Sequence, residues 1–302
     1  MNENLTKIKQ IISEKDMVRV VIIGASGQLG QCIKNVHKKY GKLEIISTTS
    51  QDVDITNSQE VNNFFEKKHF DYIINCAAYT NVEQAEKESE KAFLVNAEGV
   101  KNLAEVCKNY DATLIHISTD YVFDGKKHTP YTEKDRTNPI NEYGKSKLKG
   151  EEHIQYILDK YFILRTSWLY SEFGHNFYKT ILKKSQTEKE LTITTSEIGT
   201  PTNANDLAKF ILDLIESARQ EYGLYHYSNF GEASWYDFAK EILTVSGKHE
   251  AIMLKKTDNY PTFAKRPVYS VLNKENTTRL FGLTILDWKE SLRKLIIESP
   301  DK

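Results

Sequence analysis

The stretch Val18-Arg19-Val20-Val21-Ile22-Ile23, followed at once by Gly24-Ala25-Ser26-Gly27-Gln28-Leu29-Gly30, decides the fold of this chain. The first six residues form an apolar run rich in β-branched side chains, which predicts a buried strand. The residues after Gly30 follow a helical pattern to about Lys39. A buried strand that turns through glycines into a helix is typical of the first unit of a parallel α/β sheet.

Three glycines, Gly24, Gly27 and Gly30, are spaced three apart in the turn between this strand and this helix. Glycine permits a tight turn and lets backbone N–H groups approach a pyrophosphate, and the helix N-terminus that follows favours negative charge. A plain glycine-rich turn is the alternative, but the strand before and the helix after favour dinucleotide binding. The cofactor contacts expected here are Gly24, Ser26, Gly27, Gln28, Leu29 and Gly30.

Strand and helix patterns alternate along the next part of the chain. Apolar runs predict strands at 43–47, 72–75, 113–118 and 161–165, and helical patterns lie at 58–68, 89–109 and from Tyr143 to about 158. This alternation predicts an α/β fold with a doubly wound parallel sheet. We place the dinucleotide-binding domain at residues 18–168, with later elements around 203–228 returning to it.

The pattern loosens after residue 171 into shorter elements. Helices are predicted at 176–185, at 206–217, from Ser234 to about 245 with Asp237 at the capping-box position, and from Asp287 to 297. We interpret residues 169–302 mainly as a smaller C-terminal α/β domain that binds the substrate. Residues 1–17 form an N-terminal extension, either a harmless addition or an oligomer contact.

Composition excludes several classes of protein. The chain has 302 residues, 39% hydrophobic and 27% charged, with a net charge of -1, which indicates a globular protein without the overall charge of a nucleic-acid or membrane-surface binder. The sequence contains neither an apolar run long enough to span a bilayer nor a signal-peptide core. Cys32, Cys76 and Cys107 are scattered, which fits a reducing cytoplasm. The eight histidines lack ligand spacing, so we expect no metal site.

The end of the second predicted strand bears on the choice of cofactor. Proteins of this kind that prefer NAD usually place an acid there, to bind the ribose 2′-hydroxyl. Here the chain reads Ser47-Thr48-Thr49-Ser50, so neither a carboxylate nor an arginine occupies the position. The sequence favours NADPH, or tolerance of both NADPH and NADH. Asp54 and Ile55 either contact the adenine or belong to a turn and helix cap at Thr56 and Asn57.

Further cofactor contacts are expected where the third strand ends. Ala77 and Ala78 are small, which leaves room for a cofactor over the sheet edge, and Tyr79 follows them. Asn96 is a candidate cofactor contact inside a predicted helix, although it also fits a polar residue on a half-buried helix. His116 lies in a buried strand, which favours a core or hydrogen-bonded residue over a general base.

Tyr143 and Lys147 carry the predicted chemistry. Four residues apart, they lie on one face of a helix, and an ammonium beside a phenol is expected to lower the tyrosine pKa. A solvated surface pair has the same spacing. Ser118 and Thr119, however, lie at the carboxyl end of a strand, the edge where open α/β sheets bind ligands. A hydroxyl there and a tyrosine–lysine helix soon after predict a proton-transfer site.

These motifs together resemble a known superfamily. Segments 24–30, 118–123, 143–147 and 165–168 are similar to the extended short-chain dehydrogenase/reductases and, among them, to the dTDP-4-dehydrorhamnose reductase family. Further matches are Asn176-Phe177, the segment 199–202, and Arg266-Pro267 with Ser270 and Leu272. The resemblance covers nearly the whole chain from Val18 and implies a Rossmann sheet.

The resemblance also implies a reaction. A hydride passes from NADPH or NADH to C4 of a dTDP-linked 4-keto-6-deoxy sugar. Tyr143 would donate the proton, Lys147 would lower the pKa of Tyr143 and hold the nicotinamide ribose, and Thr119 would hydrogen-bond the carbonyl oxygen. A positioned acid and donor stabilise the charge that develops on one oxygen. The substrate contacts expected from the resemblance, which include those to the sugar and the diphosphate, are Thr80, Thr119, Asp120, Tyr121, Trp168, Asn176 and Arg266.

Several alternatives stay open at the level of sequence. The 4,6-dehydratases of this superfamily follow the catalytic threonine with Asp-Glu, whereas Thr119 precedes Asp120 and Tyr121, which argues against a dehydratase. An epimerase or a reductase of another nucleotide sugar has the same triad. A regulatory subunit that keeps the fold is a third reading, which the intact Thr119, Tyr143 and Lys147 disfavour. The resemblance leaves a homodimer open, and we identify no acidic cluster for Mg²⁺.

Overall fold

The computed structural model describes residues 17–258 and 260–298. Residues 1–16 of the predicted extension therefore lie outside the described part of the chain. Within the described residues, none of the helices combines the length and the apolar character needed to cross a membrane.

A six-stranded parallel sheet forms the centre of the molecule. Its strand order is β10-β5-β4-β3-β1-β2. The chain therefore places β2 on one side of β1 and then adds β3, β4, β5 and β10 in succession on the other side. The prediction of a doubly wound parallel sheet is confirmed. The strands of the sheet are β1 Val18–Ile23, β2 Leu43–Thr48, β3 Tyr72–Asn75, β4 Thr113–Thr119, β5 Tyr161–Thr166 and β10 Gly223–His226.

Helices cover both faces of this sheet. The helices are α1 Gln28–Val36, α2 Ser58–Glu66, α3 Val82–Ala85, α4 Ser89–Phe93, α5 Gly99–Tyr110, α6 Glu142–Ile157, α7 Phe177–Lys184, α8 Ala204–Glu216, α9 Trp235–Val245, α10 Glu275–Phe281 and α11 Trp288–Glu298. Short 3₁₀ helices lie at His37–Lys39, Asp120–Val122 and His249–Ala251.

Alternation along the strands produces the two core layers. Val20 and Ile22 of β1 pack with α1 and α8 on one face, while Val21 and Ile23 pack with α2, α5 and α6 on the other. Successive side chains of a strand point to opposite faces, so an unbroken apolar run is what a sheet covered on both sides requires.

The helical stretch predicted at 89–109 is confirmed, but it is not a regular α-helix throughout. A π-helical turn, Leu94–Glu98, separates α4 from α5. At this turn α6 approaches so closely that a Cβ on Gly150 would lie 2.2 Å from the carbonyl oxygen of Asn96. The wider turn also places the Asn96 side chain against the backbone of Tyr79, which a regular helix pattern in the sequence does not reveal.

The second half of the chain forms its own apolar cluster around α7, α9 and α11. Short strand pairs accompany it: β8 Ile198–Gly199 with β11 Ala233–Ser234, β7 Glu190–Thr194 with β12 Met253–Thr257, and β6 Leu169–Tyr170 with β9 Thr202–Asn203. The capping box of Ser234 and Asp237 is confirmed. β12 was not predicted, because the adjacent Lys255 and Lys256 interrupt any apolar pattern in this short strand.

Candidate active site

The glycine-rich turn after β1 is held against the end of β3. Gly24 has φ +79°, and a Cβ there would lie 2.7 Å from the backbone nitrogen of Ala77. A Cβ on Gly30 would lie 2.6 Å from Cα of Ala25, so α1 packs directly on the turn. These two glycines are therefore required for the close approach of backbone to backbone, and neither lines the cavity described next.

A cavity of about 620 Å³ opens at the carboxyl edge of the sheet. It extends from the glycine-rich turn, past the end of β4, to the helices of the second half. Most of the residues predicted to bind cofactor or substrate line it: Ser26, Gly27, Gln28, Leu29, Ala77, Ala78, Thr80, Thr119, Asp120, Tyr121, Tyr143, Lys147, Trp168 and Asn176.

One end of the cavity has the properties of an anion site. Gly27 is the N-cap of α1 and has no side chain to cap the helix, and the first turn, residues 28–31, contains no carboxylate. Backbone N–H groups at a helix N-terminus and the helix dipole both favour a phosphate. The residues present at this end therefore fit the pyrophosphate of a dinucleotide.

Tyr143 is placed in the cavity wall by the start of α6. Asn141 caps that helix through the backbone N–H of Gly144 at 2.7 Å, and its amide also donates to the carbonyl of Lys265 at 2.8 Å. The ring of Tyr121 lies edge-on to that of Tyr143, with centroids 5.9 Å apart. Both tyrosines are thus fixed relative to the strand end that carries Thr119.

The expected lowering of the Tyr143 pKa is wrong in this structure. The pKa of Tyr143 is raised to about 12, chiefly by burial; a hydrogen bond with the Thr119 hydroxyl lowers it in part, and the carboxyl of Asp120 adds a smaller increase. The spacing of Tyr143 and Lys147 places both on one helix face, but the desolvation of the phenol is the largest effect on its pKa, and it raises that pKa. Tyr143 is therefore a neutral phenol near neutral pH, the form that can donate a proton.

Lys147 lies below Tyr143 and is buried. Its Nζ donates to the carbonyl of Ile117 at 2.6 Å and lies 3.4 Å from Nε2 of His116. Burial lowers the pKa of Lys147 to about 8, although Glu151 and Cys76 favour the ammonium. The buried, hydrogen-bonded position of His116 confirms that it is a core residue of β4.

A buried ion pair supports α6 from beneath. Arg165 on β5 donates to Glu151 through Nε at 2.9 Å and through Nη2 at 2.6 Å, and Ser118 donates to the same carboxylate at 2.5 Å. This pair joins β4, β5 and α6 at the level of Lys147. Glu151 was not predicted as part of the site, because a glutamate in a helix pattern is usually a solvated residue.

Thr119 and Asp120 form the floor of the cavity. The Thr119 hydroxyl accepts the backbone N–H of Tyr121 at 3.1 Å and donates to Asp120 at 3.2 Å. Burial raises the pKa of the Asp120 carboxyl to about 7, partly offset by hydrogen bonds from Ser270 and Thr119. Asp120 therefore changes charge near neutral pH within reach of the reacting groups.

An aromatic pair forms the wall on the side of the second half. The rings of Trp168 and Trp235 are stacked, with centroids 3.6 Å apart and planes within 5°. Trp168 has φ +44°, an uncommon conformation for a bulky side chain, and Trp235 donates to Glu197 at 2.6 Å. Trp235 was not predicted, since its position at the start of α9 carries no signal of a cavity.

Besides Gly24 and Gly30, five of the predicted contacts lie outside the cavity lining: Asp54, Ile55, Tyr79, Asn96 and Arg266. The carboxylate of Asp54 binds the backbone and hydroxyl of Thr56, and Asn57 caps α2, so the turn-and-cap reading is confirmed. Contact of Asp54 and Ile55 with adenine stays a prediction.

Asn96 is the clearest correction among the predicted cofactor contacts. It is fully buried, and its amide bonds both the N–H and the carbonyl of Tyr79 as well as the hydroxyl of Ser146. These bonds use its donors inside the protein, so Asn96 holds the Tyr79 backbone in place of reaching the cofactor. The hydroxyl of Tyr79 itself donates to Glu88 at 3.0 Å.

Asn176 and Arg266, expected near a diphosphate, both have protein partners. Asn176 caps α7 and donates to the side chain of Gln28 at 2.6 Å, which ties the second half to the glycine-rich turn. Arg266 pairs with Glu83 at 2.9 Å, and its Nε is buried and lacks a hydrogen-bond partner among the described residues. Their roles toward a ligand stay predictions.

The fold and the cavity define an NAD(P)H-dependent oxidoreductase of the extended short-chain dehydrogenase/reductase class. A family model described as RmlD substrate binding domain matches residues 18–299. The chain belongs to this family, that of the dTDP-4-dehydrorhamnose reductases.

Three relatives illustrate the similarity. The dTDP-4-dehydrorhamnose reductase of Aggregatibacter actinomycetemcomitans is 37% identical over 294 residues, covering 92% of this chain and 98% of that protein. The spore coat polysaccharide biosynthesis protein SpsK of Bacillus subtilis is 39% identical over 282 residues, 93% of this chain and 98% of SpsK. The crystal structure of dTDP-4-dehydrorhamnose reductase from Bacillus anthracis in complex with NADP superposes with a TM-score of 0.88 at 38% identity, covering 93% of this chain and 99% of that one.

Proposed function

We propose that this protein reduces dTDP-4-dehydro-L-rhamnose to dTDP-L-rhamnose with NADPH or NADH. The observation that carries the proposal is the placement of Thr119, Tyr143 and Lys147 on one wall of a cavity that begins at the helix N-terminus after Gly27. The names of the relatives supply the sugar, because several of them are dTDP-4-dehydrorhamnose reductases.

The cofactor, when bound, supplies a hydride to the ketone carbon. Ser26 and Gln28 offer backbone N–H groups for its pyrophosphate, Gly27 lets the backbone approach it, and Ala77 and Ala78 leave room beside the sheet edge. The end of β2 lacks a carboxylate, so it would not repel a 2′-phosphate, and the Bacillus anthracis relative was crystallised with NADP. We therefore assign NADPH as the preferred cofactor and NADH as the second.

Tyr143 donates the proton in this account. As C4 is reduced, negative charge develops on its oxygen, and a neutral phenol held at the cavity wall can supply a proton to it. Thr119 hydrogen-bonds the same oxygen, and Lys147 favours the phenolate as it forms and holds the nicotinamide ribose. These interactions are stronger in the transition state than in the ground state, so they accelerate the chemical step.

The sugar and the diphosphate are bound by the other residues of the cavity. Tyr121 and Trp168 line the sugar pocket, with Thr80 and Asp120 beside it. Arg266 reaches the diphosphate by exchanging its partner Glu83 for the ligand, since a guanidinium suits bidentate phosphate contact. Asn176 orients the diphosphate end of the site through its hydrogen bond to the side chain of Gln28.

The remaining assignments concern organisation and location. Residues 18–168, with 203–228, form the dinucleotide-binding domain, and residues 169–302 mainly bind the substrate. The three cysteines are free, which fits work in the reducing cytoplasm. A homodimer is the assembly we propose.

The test is a coupled assay that follows the near-ultraviolet absorbance of the reduced cofactor. The dTDP-4-keto-6-deoxyhexose is supplied with and without a 3,5-epimerase, so that the rhamno-configured ketone is present in only one reaction. We expect oxidation of NADPH to require both the sugar and the epimerase. Oxidation without the epimerase would indicate another ketosugar, and binding of the cofactor without any oxidation would indicate an epimerase or a regulatory subunit.

A further inference from the structure

A chain of hydrogen bonds runs beneath the cavity from the backbone to Lys147. The N–H of Ala77 donates to Oδ1 of Asn75 at 3.0 Å. Nδ2 of Asn75 lies 3.1 Å from Nδ1 of His116, and Nε2 of His116 lies 3.4 Å from Nζ of Lys147. Asn75 comes from the end of β3, His116 from the middle of β4 and Lys147 from α6, so three elements of the site meet in this chain.

The direction of this chain is fixed at its first link. A backbone N–H is always a donor, so the atom of Asn75 that faces Ala77 must be the amide oxygen. The amide nitrogen then faces His116 and donates to Nδ1. A neutral imidazole that accepts at Nδ1 carries its hydrogen on Nε2, which is the nitrogen that faces Lys147.

His116 stays neutral, because it is fully buried and lies beside Lys147, and both lower the pKa of its imidazole. Its Nε2–H therefore points at a nitrogen that already donates to the carbonyl of Ile117. An amine can accept this hydrogen, whereas an ammonium has no lone pair to accept it.

We propose that Asn75 and His116 are positioning residues that present an N–H group to Lys147 and thereby weaken its hold on its proton. The meaning of this arrangement for catalysis rests on the proposed function, whereas the direction of the chain is a property of the protein alone. The other charged and titratable groups near Lys147 are Tyr143 and Glu151 on its own helix, the latter paired with Arg165 of β5, and Cys76 after β3.

The direct test is the tautomer of His116, read by two-bond ¹H–¹⁵N correlation on protein labelled with ¹⁵N-histidine. The His116→Gln variant assigns the signal among the eight histidines. We expect hydrogen on Nε2 in the wild type. In Asn75→Asp, one carboxylate oxygen still accepts from Ala77 and the other accepts from His116, so we expect hydrogen on Nδ1. Asn75→Ala, which frees Nδ1, is the second variant if Asn75→Asp does not fold.

The measurement does not depend on turnover, so it decides the inference even if the proposed function fails. Hydrogen on Nδ1 in the wild type, or the same tautomer in the wild type and in Asn75→Asp, would overturn it.

If the protein is the reductase, a second readout is the alkaline limb of the pH profile of kcat/KM. His116→Phe should shift that limb upward by about one pH unit, a tenfold change in proton affinity. A purely structural role would lower activity at every pH and leave the limb in place.

Asn75→Asp also adds a charge, and the double variant Asn75→Asp with His116→Phe separates the two effects. In the His116→Phe background the new carboxylate is still present, but the imidazole whose tautomer it changes is gone. We expect Asn75→Asp to raise the limb more in the presence of His116 than in its absence. Equal shifts in the two backgrounds would assign the effect to charge alone and contradict the proposal.

Discussion

Nη2 of Arg165 lies 2.6 Å from Oε2 of Glu151, and both side chains are almost fully buried, at 4% and 1% exposure. The pair joins β5 to α6 directly beneath Lys147. Removing one partner of a buried pair leaves an unpaired charge in the interior, which costs about 3–5 kcal/mol. We expect Glu151→Gln to lower the free energy of unfolding by about that amount in urea titrations.

Two further variants test whether burial of the ion pair is the reason for this loss of stability. Asp111→Asn removes the exposed pair with Lys160 and should change the free energy of unfolding by about 1 kcal/mol or less. Combining Glu151→Gln with Arg165→Met removes the unpaired charge and should restore part of the loss. An equal, small effect of Glu151→Gln and Asp111→Asn would contradict the account.

The glycine-rich turn predicts a second result. Gly24→Ala adds a Cβ at a positive φ and 2.7 Å from the Ala77 nitrogen, so the turn must move or strain. Backbone strain of this kind costs about 1–3 kcal/mol. We expect a lower melting temperature and weaker NADPH binding by calorimetry. Gly41→Ala is the control, since a Cβ there meets nothing within 4 Å. Equal binding by both variants would show that the turn does not position the cofactor.

The stacked indoles predict an effect on substrate affinity. Trp235→Leu removes the ring that supports Trp168, and aromatic pairs contribute about 0.5–1.5 kcal/mol beyond area burial. We expect KM for the dTDP-sugar to rise about 2- to 10-fold while kcat changes little. Trp235→Phe keeps an aromatic ring but loses the hydrogen bond to Glu197, so it should show the smaller rise. A larger loss in kcat than in KM would place Trp168 in the chemistry itself.

Asp120 gives the protein a pH-dependent stability. Its folded-state pKa, about 7, lies above the ordinary value of 3.8, so the folded state binds more protons between these values. The stability linked to this group is fully present below pH 3.8 and is lost as pH rises through 7. We expect the free energy of unfolding of Asp120→Asn, minus that of the wild type, to increase by up to about 4 kcal/mol over this range.

Asp52→Asn is the matched control for that titration. The Asp52 carboxylate is bound by Thr49, which lowers its pKa, so its contribution is present above pH 3.8 and lost as pH falls. The difference between Asp52→Asn and the wild type should therefore stay constant from pH 4 to 8 and change only below about pH 3.8, where the contribution of Asp52 is lost. Parallel curves for Asp120→Asn and the wild type from pH 4 to 8 would show that the Asp120 carboxyl is not perturbed.

The sheet and the glycine-rich turn could be predicted because their signals are local. The run from Val20 to Ile23 is apolar and buried at every position, which only a strand covered on both faces requires, and the glycine-rich turn follows at once. The capping box of Ser234 is likewise a local pattern. Such features need no knowledge of what the rest of the chain packs against them.

The corrections concern properties that depend on distant parts of the chain. The pKa of Tyr143 is set by desolvation, which comes from elements far apart in sequence. Asn96 was assigned to the cofactor because its bonds to Tyr79 and Ser146, 17 and 50 residues away, cannot be read from a helical pattern. The stacking of Trp168 on Trp235 spans separate elements in the same way.

The most direct test of the account is the formation of dTDP-L-rhamnose by the wild type and by Tyr143→Phe. In the presence of the 3,5-epimerase, the wild type should form one dTDP-L-rhamnose for each NADPH consumed. The variant keeps the ring but loses the proton, so we expect NADPH binding to be retained and product formation to fall by about 10²–10⁴-fold. Undiminished product formation by Tyr143→Phe would contradict the assignment of the proton donor. Absence of dTDP-L-rhamnose from the wild-type reaction would contradict the proposed function.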